Sequence, residues 1–312
     1  MSRKSSLPGR VTNAAMVSIQ SQVPEQAMSA GVLGTNRSGQ GVRLREDGLI
    51  VTAGYLVIEA EQVWITSSDG RGAPGYIVAH DYDSGLALLG TAVPIGADIL
   101  QPGTCENLYP GDQVQICHLG EKIPSRHKLV AKQEFAGRWE YLLDEALYVT
   151  PPIEDWAGAA LLNDTGEVCG IGSLMLDIPV SAFATAPGNM FIPLQLITPW
   201  IDEMCACGRR LTPPRPWLGT LIQEYEGKLI LVGIYNHCPA HEAGLAPGDI
   251  IVAVNDEPVT GLSDLLRKVW SLGSAGVTVP VTITRAGRLR RHLIHSKDRV
   301  EYYSPKVSAS IN

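Results

Sequence analysis

The stretch DWAGAAL at residues 155–161, which leads into LNDTGEVCGI at residues 162–171, decides the fold of this chain. Its second part is typical of a β-hairpin, because apolar residues run up to a polar turn at 163–166 and an apolar strand follows. Its first part is a tight loop of small residues that enters the hairpin. At the centre of the loop stands Ala157, whose side chain has no reactive atom.

Short apolar stretches separated by Gly-rich turns fill the chain on both sides of this hairpin. Residues 49–53 and 113–117 are examples. Closely spaced short strands with turn residues between them indicate barrels or sandwiches. The fold class predicted here is mainly β, with two consecutive β units followed by a smaller α+β domain. We expect a flexible N-terminal arm over 1–29, a first barrel over 30–97, and a second barrel with a connecting helix over 98–211.

The third unit follows a stiff Pro-rich linker at 212–216, which marks a domain boundary. Residues 217–298 contain the run AGLAPGDII at 243–251 and a helix that starts near Ser263 and ends at Gly273. A final hairpin closes the unit. The predicted boundaries are 212–299 for this domain and 300–312 for a polar C-terminal tail.

The run AGLAPGDII resembles the corresponding segment of bacterial PDZ domains. A PDZ domain captures an extended peptide as an added strand and holds its terminal carboxylate on backbone N–H groups. The resemblance implies a loop that binds the carboxylate, a strand that pairs with the peptide, and a helix that forms the opposite wall. Two alternatives stay open: these side chains only fill the domain core, or the domain docks on its own chain and binds no peptide. The peptide-binding residues implied are Trp217, Leu218, Gly219 and Thr220 in the loop, Leu221 and Ile222 in the strand, and Leu265 and Val269 on the helix.

Three segments of the first 200 residues resemble trypsin-like proteases of the high-temperature-requirement (HtrA) type. They are DGLIVTAGYLV at 47–57, DSGLALL at 83–89, and the loop at 155–161. The resemblance implies the double barrel of these proteases. The family's catalytic histidine, aspartate and serine align with Tyr55, Gly85 and Ala157.

These three positions decide the functional prediction, because the mechanism needs a nucleophile, a base and a carboxylate that orients the base. Alanine offers no nucleophile, glycine orients nothing, and a phenol with a pKa of about 10 is a poor base. We therefore expect no catalytic residues and no enzyme, but an inactive homologue that binds a protein or peptide partner as a scaffold, adaptor or assembly factor. The alternatives are an active serine endopeptidase with a non-standard catalytic set and a purely structural subunit of an oligomeric complex. His80 and Ser84 are interpreted as surface polar residues. Asp81 could be a shifted triad carboxylate, but a base and a nucleophile would still be absent.

Composition narrows the partners and the location. The net charge of −7 over 312 residues argues against nucleic acid as a partner. No run approaches the roughly 20 apolar residues of a membrane span. Basic residues open the chain without a following apolar run, so no secretory signal is expected and the predicted location is the cytoplasm, with the periplasm as the alternative. A homo-oligomer or a place in a larger complex is compatible with the resemblance.

No metal and no cofactor is predicted. The six cysteines are dispersed, which in a reducing compartment favours buried thiols. Cys205 and Cys207 could form half of a metal site, and His237 and His241 have the spacing of two ligands on one helix turn. The cysteine pair has no second Cys/His pair at matching spacing, and the two histidines straddle a proline, so we do not expect them to share a regular helix.

Overall fold

The computed structural model of this chain describes residues 13–96, 98–181 and 184–303. It confirms a mainly β chain and divides it into two compact units. The first unit runs up to Glu134 and resumes over Asp144–Leu211. The second unit joins Phe135–Leu143 to the residues from Thr212 onward.

The first unit begins with a closed barrel in the strand order β1-β2-β3-β6-β5-β4. Its core is aliphatic, with Ile19, Ile65 and Leu89 almost completely buried. Tyr55 and Ala157 pack against this core from its edge. The strands are β1 (Met16–Gln22), β2 (Asn36–Arg43), β3 (Ile50–Ala53), β4 (Gln62–Ser67), β5 (Gly72–Asp81) and β6 (Leu86–Thr91).

A second closed barrel in the first unit has the order β10-β11-β12-β9-β8-β7. Its core is centred on Phe191, Leu147 and Leu161, and Trp156 packs against it. The strands are β7 (Gln113–Cys117), β8 (Ser125–Gly137), β9 (Tyr141–Thr150), β10 (Ala160–Leu162), β11 (Val168–Ser181) and β12 (Ala184–Pro193).

The second unit is an α+β domain whose sheet runs in the order β13-β14-β15-β17-β18, with β16 paired to β15. Strand β13 therefore lies at one end of the sheet and, among the described strands, pairs only with β14. The strands are β13 (Thr220–Tyr225), β14 (Lys228–Ile234), β15 (Ile250–Val254), β16 (Glu257–Pro258), β17 (Thr278–Arg285) and β18 (Arg288–His295).

The helices are short. Gly208 ends the helix that follows the second barrel in the left-handed conformation, at φ 74°, as expected for a glycine at a helix end. Within the described residues, no helix is long and apolar enough to cross a membrane. The helices are α1 (Ala30–Leu33), α2 (Ile201–Cys207), α3 (Pro239–Glu242), α4 (Leu262–Ser271) and α5 (Arg299–Tyr303).

Two observations differ from the predicted domain boundaries. Strand β1 lies inside the stretch expected to be a flexible arm and pairs with β2 and β4. Its buried residues Met16, Val17 and Ile19 explain the difference, because they supply one wall of the core despite the polar composition of the whole stretch. Residues 135–143, at the β8–β9 turn, group with the second unit although the chain order places them in the second barrel.

Candidate functional site

The loop at 155–161 packs tightly against strand β2. The amide of Gln40 donates to the carbonyl of Ala157 at 2.8 Å. Gly158 adopts φ 81°, and a Cβ at this position would overlap the carbonyl oxygen of Gln40. Only glycine fits there. The hairpin predicted after the loop is confirmed, since Ala160 and Leu161 of β10 pair with β11.

Tyr55 lies beside this loop, in the position that the resemblance gives to the catalytic base. Its hydroxyl donates to the carbonyl of Ser173 at 2.9 Å. Burial raises the pKa of the Tyr55 phenol far above its usual value, and a side-chain hydrogen bond with Trp156 opposes this only in part. The phenol therefore keeps its proton at neutral pH and acts as a hydrogen-bond donor between the two barrels.

Gly85 is joined to the same region through the backbone. Its carbonyl accepts from the amide of Gly54 at 2.7 Å, and its φ is 76°. Asp81, four residues earlier, accepts from Arg210 at 2.7 Å. The imidazole of His80 stacks on a neighbouring tyrosine ring with centroids 4.2 Å apart. The carboxylate and the imidazole thus each have their own partners.

Asp81 and Ser84 are both buried, so the interpretation of Ser84 as a surface polar residue is wrong. Asp81 is 5% exposed and Ser84 is 2% exposed. The amide of Ser84 donates to the Asp81 carboxylate at 3.2 Å, so the turn that follows β5 folds its polar side chains inward. This local hydrogen bonding explains the difference, because it satisfies both groups without water.

A serine–histidine pair that sequence reasoning missed lies on strand β8. Ser125 Oγ and His127 Nε2 are 2.7 Å apart, and His127 Nδ1 lies 2.7 Å from the carbonyl oxygen of Pro151. A carbonyl only accepts, so Nδ1 carries the proton and Nε2 accepts from the serine hydroxyl. His127 is buried while Ser125 is partly exposed. The i, i+2 spacing places both side chains on one face of the strand.

The electrostatic surroundings keep the His127 imidazole neutral. Burial lowers its pKa, and the nearby His118 acts in the same direction. The hydrogen bond to Pro151 and the charge of Glu121 oppose the shift without reversing it. A neutral imidazole that is held in one tautomer and accepts from a serine hydroxyl can act as a general base.

In the second unit, the loop at 217–220 holds a carboxylate. The amides of Leu218 and Thr220 donate to the two side-chain oxygens of Glu140, at 2.9 and 2.6 Å. The Thr220 hydroxyl donates to the same carboxylate at 2.8 Å. Gly219, with φ 82°, allows this turn, and a Cβ there would overlap the side chain of Cys238.

The segment that carries Glu140 also pairs with the edge of the sheet. The amide of Ile222 in β13 donates to the carbonyl of Arg138 at 2.8 Å. The guanidinium of Arg299 in α5 donates to the carbonyls of Trp139, at 3.1 Å, and Glu140, at 3.5 Å. Burial raises the pKa of Glu140, while the donors on the loop and the charge of Arg299 counteract the shift.

Most of the predicted peptide-binding residues come together around one pocket next to Glu140. Leu218, Thr220, Ile222, Leu265 and Val269 all line it. Trp217 instead packs in an aromatic cluster, with its ring centroid 4.6 Å from that of Tyr302 and the two rings tilted. Leu221 pairs with Gly233 of β14.

Sequence reasoning missed Glu140, Arg138 and Arg299. The sequence GRWE at 137–140 is typical of an ordinary hairpin turn. It does not indicate that the Glu140 carboxylate is bound by Thr220, which lies 80 positions later. The positive φ of Glu140, 57°, is unusual for a non-glycine residue and is the local feature that aims the side chain.

The residues weighed as metal ligands lie in two places. Cys205 and Cys207 are exposed on α2. The rings of His237 and His241 meet edge to face with centroids 5.9 Å apart. Among the described residues, no group of three potential ligands has the geometry to hold a metal ion.

Comparison with known families assigns both folded parts of the chain. The trypsin-like peptidase domain model matches residues 39–171, and the PDZ domain model matches residues 216–294. The chain therefore carries a trypsin-like domain followed by a PDZ domain. These matches support the resemblance to HtrA-type proteases with one PDZ domain.

Individual relatives agree with this class. The serine endoprotease DegS of Salmonella typhimurium is 24% identical over 266 residues, which cover 79% of this chain and 73% of DegS. A probable periplasmic DegP-like serine endoprotease of Rhizobium meliloti is 27% identical over 280 residues. That match covers 83% of this chain and 53% of the relative, so the chain spans about half the length of the DegP-like protein.

Solved structures show the same fold. The HtrA-type protease AlgW with a tripeptide matches with a TM-score of 0.54 at 16% identity, covering 91% of this chain and 94% of that one. The serine endoprotease from Yersinia pestis matches with a TM-score of 0.53 at 24% identity, covering 92% and 94%.

The relatives correct one prediction. Those that match about four-fifths of this chain are named serine endoproteases, which contradicts the prediction that the chain is not an enzyme. That prediction rested on the loss of the family's catalytic residues at Tyr55, Gly85 and Ala157, and the alternative of a non-standard catalytic set did not include the pair on β8. The periplasmic names fit the alternative location, and they give no support to the cytoplasm.

Proposed function

We propose that this protein binds the carboxyl-terminal segments of partner polypeptides in the groove of its PDZ domain. The observation that carries the proposal is the loop at 217–220, where two backbone amides and one hydroxyl converge on a carboxylate. A terminal carboxylate presents the same two oxygens as the Glu140 side chain. The edge of β13 that faces away from β14 would accept the peptide as an added strand.

The pocket beside the loop supports a preference for apolar C-terminal residues. Leu218, Ile222, Leu265 and Val269 line it with aliphatic surface. These side chains are almost completely buried and leave little space between them. A C-terminal side chain of Val, Leu, Ile or Phe would have to push them apart to be removed from water there, while its carboxylate stays on the loop amides. The ligand class is therefore an extended peptide with an apolar last residue and a free carboxylate.

Paired peptides test this function directly. Fluorescein-labelled heptapeptides ending in Val, Leu, Ile or Phe are compared with their C-terminal amides by fluorescence anisotropy on the full-length protein. We expect the free acids to bind at least about tenfold more tightly, because the amide loses charge-assisted hydrogen bonds to the loop. Equal affinities of acid and amide would contradict the proposal.

A second function, serine endopeptidase activity, is favoured by the Ser125–His127 pair and by the names of the relatives. In this reaction Ser125 Oγ attacks the peptide carbonyl and its proton passes to His127 Nε2. The amine leaves with that proton, and water then hydrolyses the acyl ester and restores the serine. The carbonyl of Pro151 holds the imidazole in the required tautomer.

Covalent labelling tests this second function. A fluorophosphonate probe should modify Ser125 in the wild-type protein, and cleavage of unfolded casein should fall by at least about a hundredfold in Ser125→Ala, as expected for loss of a nucleophile. Ser84→Ala is the matched control, since Ser84 is buried beside Asp81 on the other barrel. Labelling that persists in Ser125→Ala, or casein left uncut by the wild type, argues against it.

A further inference from the structure

We infer that the β8–β9 turn is an internal ligand of the PDZ groove, and that a partner's C-terminus must displace Glu140 to bind. The inference rests on the proposed peptide-binding function and adds its regulation. Residues 138–140 and the groove belong to the same compact unit. Their contacts reproduce both features that define a bound peptide, which are a carboxylate on the loop and a strand on the edge of β13.

The first feature is the mimicry of a chain terminus. Glu140 is 7% exposed, and its carboxylate accepts from Leu218, from the Thr220 amide and from the Thr220 hydroxyl. The three donors of the loop are therefore already bound to the buried Glu140 carboxylate. An incoming peptide carboxylate needs the same donors, so the two cannot bind together.

The second feature is the added strand. The Arg138 carbonyl accepts from the Ile222 amide at 2.8 Å, two residues before the residue that supplies the carboxylate. The chain of residues 138–140 thus covers the β13 edge that an external peptide would use. Arg299 fastens this segment from the other side through the carbonyls of Trp139 and Glu140.

The internal ligand fills the groove differently from a true terminus. Glu140 reaches the loop through its own side chain, which also borders the aliphatic pocket that Leu265 and Val269 line but ends in a carboxylate instead of an apolar group. A peptide with an apolar last residue supplies both a carboxylate and an apolar group. It can therefore exchange with the internal segment because it gains a contact that the segment lacks.

Removal of the internal carboxylate tests the inference. The free-acid and amidated heptapeptides are titrated into full-length wild type, Glu140→Ala and Glu140→Gln. Glu301→Ala and Glu301→Gln, at an exposed glutamate of the same unit, are the matched controls. We expect free-acid peptides to bind Glu140→Ala at least about tenfold more tightly than wild type, with the Glu301 variants unchanged. Thermal unfolding of each variant establishes that it is folded.

Hydrogen exchange of the wild type gives a second readout that needs no substitution. A saturating free-acid peptide should speed amide exchange in residues 135–143, because the segment leaves the groove. Equal affinities of wild type and Glu140→Ala for free acids, or unchanged exchange in 135–143, would overturn the internal ligand and leave the proposed function standing. Absence of binding to both proteins would overturn the proposed function as well.

Discussion

Two glycines fix the backbone of the loops at 155–161 and 217–220. Gly158 and Gly219 both adopt positive φ, and each lies where a Cβ would overlap a neighbour. The DWAGAAL stretch predicts a tight loop of small residues, and the structure gives the reason for Gly158. The partner atoms, the Gln40 carbonyl and the Cys238 side chain, are distant in sequence and could not be inferred from it.

Replacement of Gly158 by alanine should lower the free energy of unfolding of the first unit. Positive φ alone costs about 1–3 kcal/mol for a non-glycine residue, and displacement of the Gln40 backbone adds to this. Gly34→Ala is the matched control, because Gly34 has nearly the same φ, 78° against 81°, with open space around it. Urea unfolding should show Gly158→Ala to be the less stable variant by at least about 2 kcal/mol. Equal losses would show that the loop is not tightly packed on β2.

The pH dependence of stability reports on His127. Burial lowers its pKa in the folded protein, so between that pKa and the unfolded value of about 6.5 the unfolded chain binds more protons. Stability contributed by this residue is therefore present above about pH 6.5 and is lost as the pH falls through this window. His118 and Glu121 also influence the pKa of His127, and neither residue is substituted in the test.

Substitution of His127 isolates its contribution. We expect the free energy of unfolding of wild type to decrease more steeply from about pH 7 to about pH 5 than that of His127→Gln. Exposed His295→Gln serves as the control and should keep the wild-type slope. Parallel slopes for wild type and His127→Gln would contradict the buried, neutral imidazole.

At the scale of elements, α5 and the β8–β9 turn act together. Arg299 lies between the carbonyls of the turn and the ring of Tyr303, whose centroid is 5.6 Å from the guanidinium. The five-residue helix lies outside the residues matched by the PDZ model and partly in the tail that the sequence predicts to follow the domain. Arg299 reaches the turn through backbone carbonyls, which every residue carries, so no sequence pattern could have revealed the contact.

Removal of the Arg299 charge should loosen the turn. Arg299→Met keeps a long apolar stem but leaves the Trp139 and Glu140 carbonyls without these donors, which should cost about 2 kcal/mol. The freed segment should also raise the affinity for free-acid peptides. Arg290→Met, on exposed β18, is the control. Denaturant unfolding measures the loss of stability, and anisotropy measures the peptide affinity. A variant that is destabilised but binds peptide no more tightly would show that α5 does not influence peptide binding in the groove.

Helix α4 supplies the wall of the pocket. Leu265 is 2% exposed and lines the pocket together with Ile222 and Val269. We expect Leu265→Ala to lower stability by about 2–5 kcal/mol and to weaken binding of peptides ending in Leu or Phe more than of peptides ending in Val. A uniform loss across the peptide panel would indicate that Leu265 only fills the domain core, the alternative that the sequence left open.

For the whole molecule, the sequence predicts the architecture well and the site in part. Strand spacing predicts a mainly β chain, and the resemblance to HtrA-type proteases and to PDZ domains implies the two barrels and the third domain. The peptide-binding role of the loop at 217–220 and of the pocket residues stays a prediction. Glu140 and the Ser125–His127 pair escaped prediction because their partners, Thr220 and Pro151, are chosen by tertiary structure. Oligomeric assembly and the identity of the partner stay predictions.

The most direct measurement is an NMR titration of full-length protein labelled with ¹⁵N-threonine, following the amide of Thr220. This amide donates to the Glu140 carboxylate at 2.6 Å in the free protein. We predict that its resonance shifts to a new position as a free-acid heptapeptide replaces Glu140, and that the amidated peptide leaves it in place. A Thr220 resonance that stays unchanged at saturating free-acid peptide, or that moves equally with both peptides, would contradict carboxylate recognition by this loop.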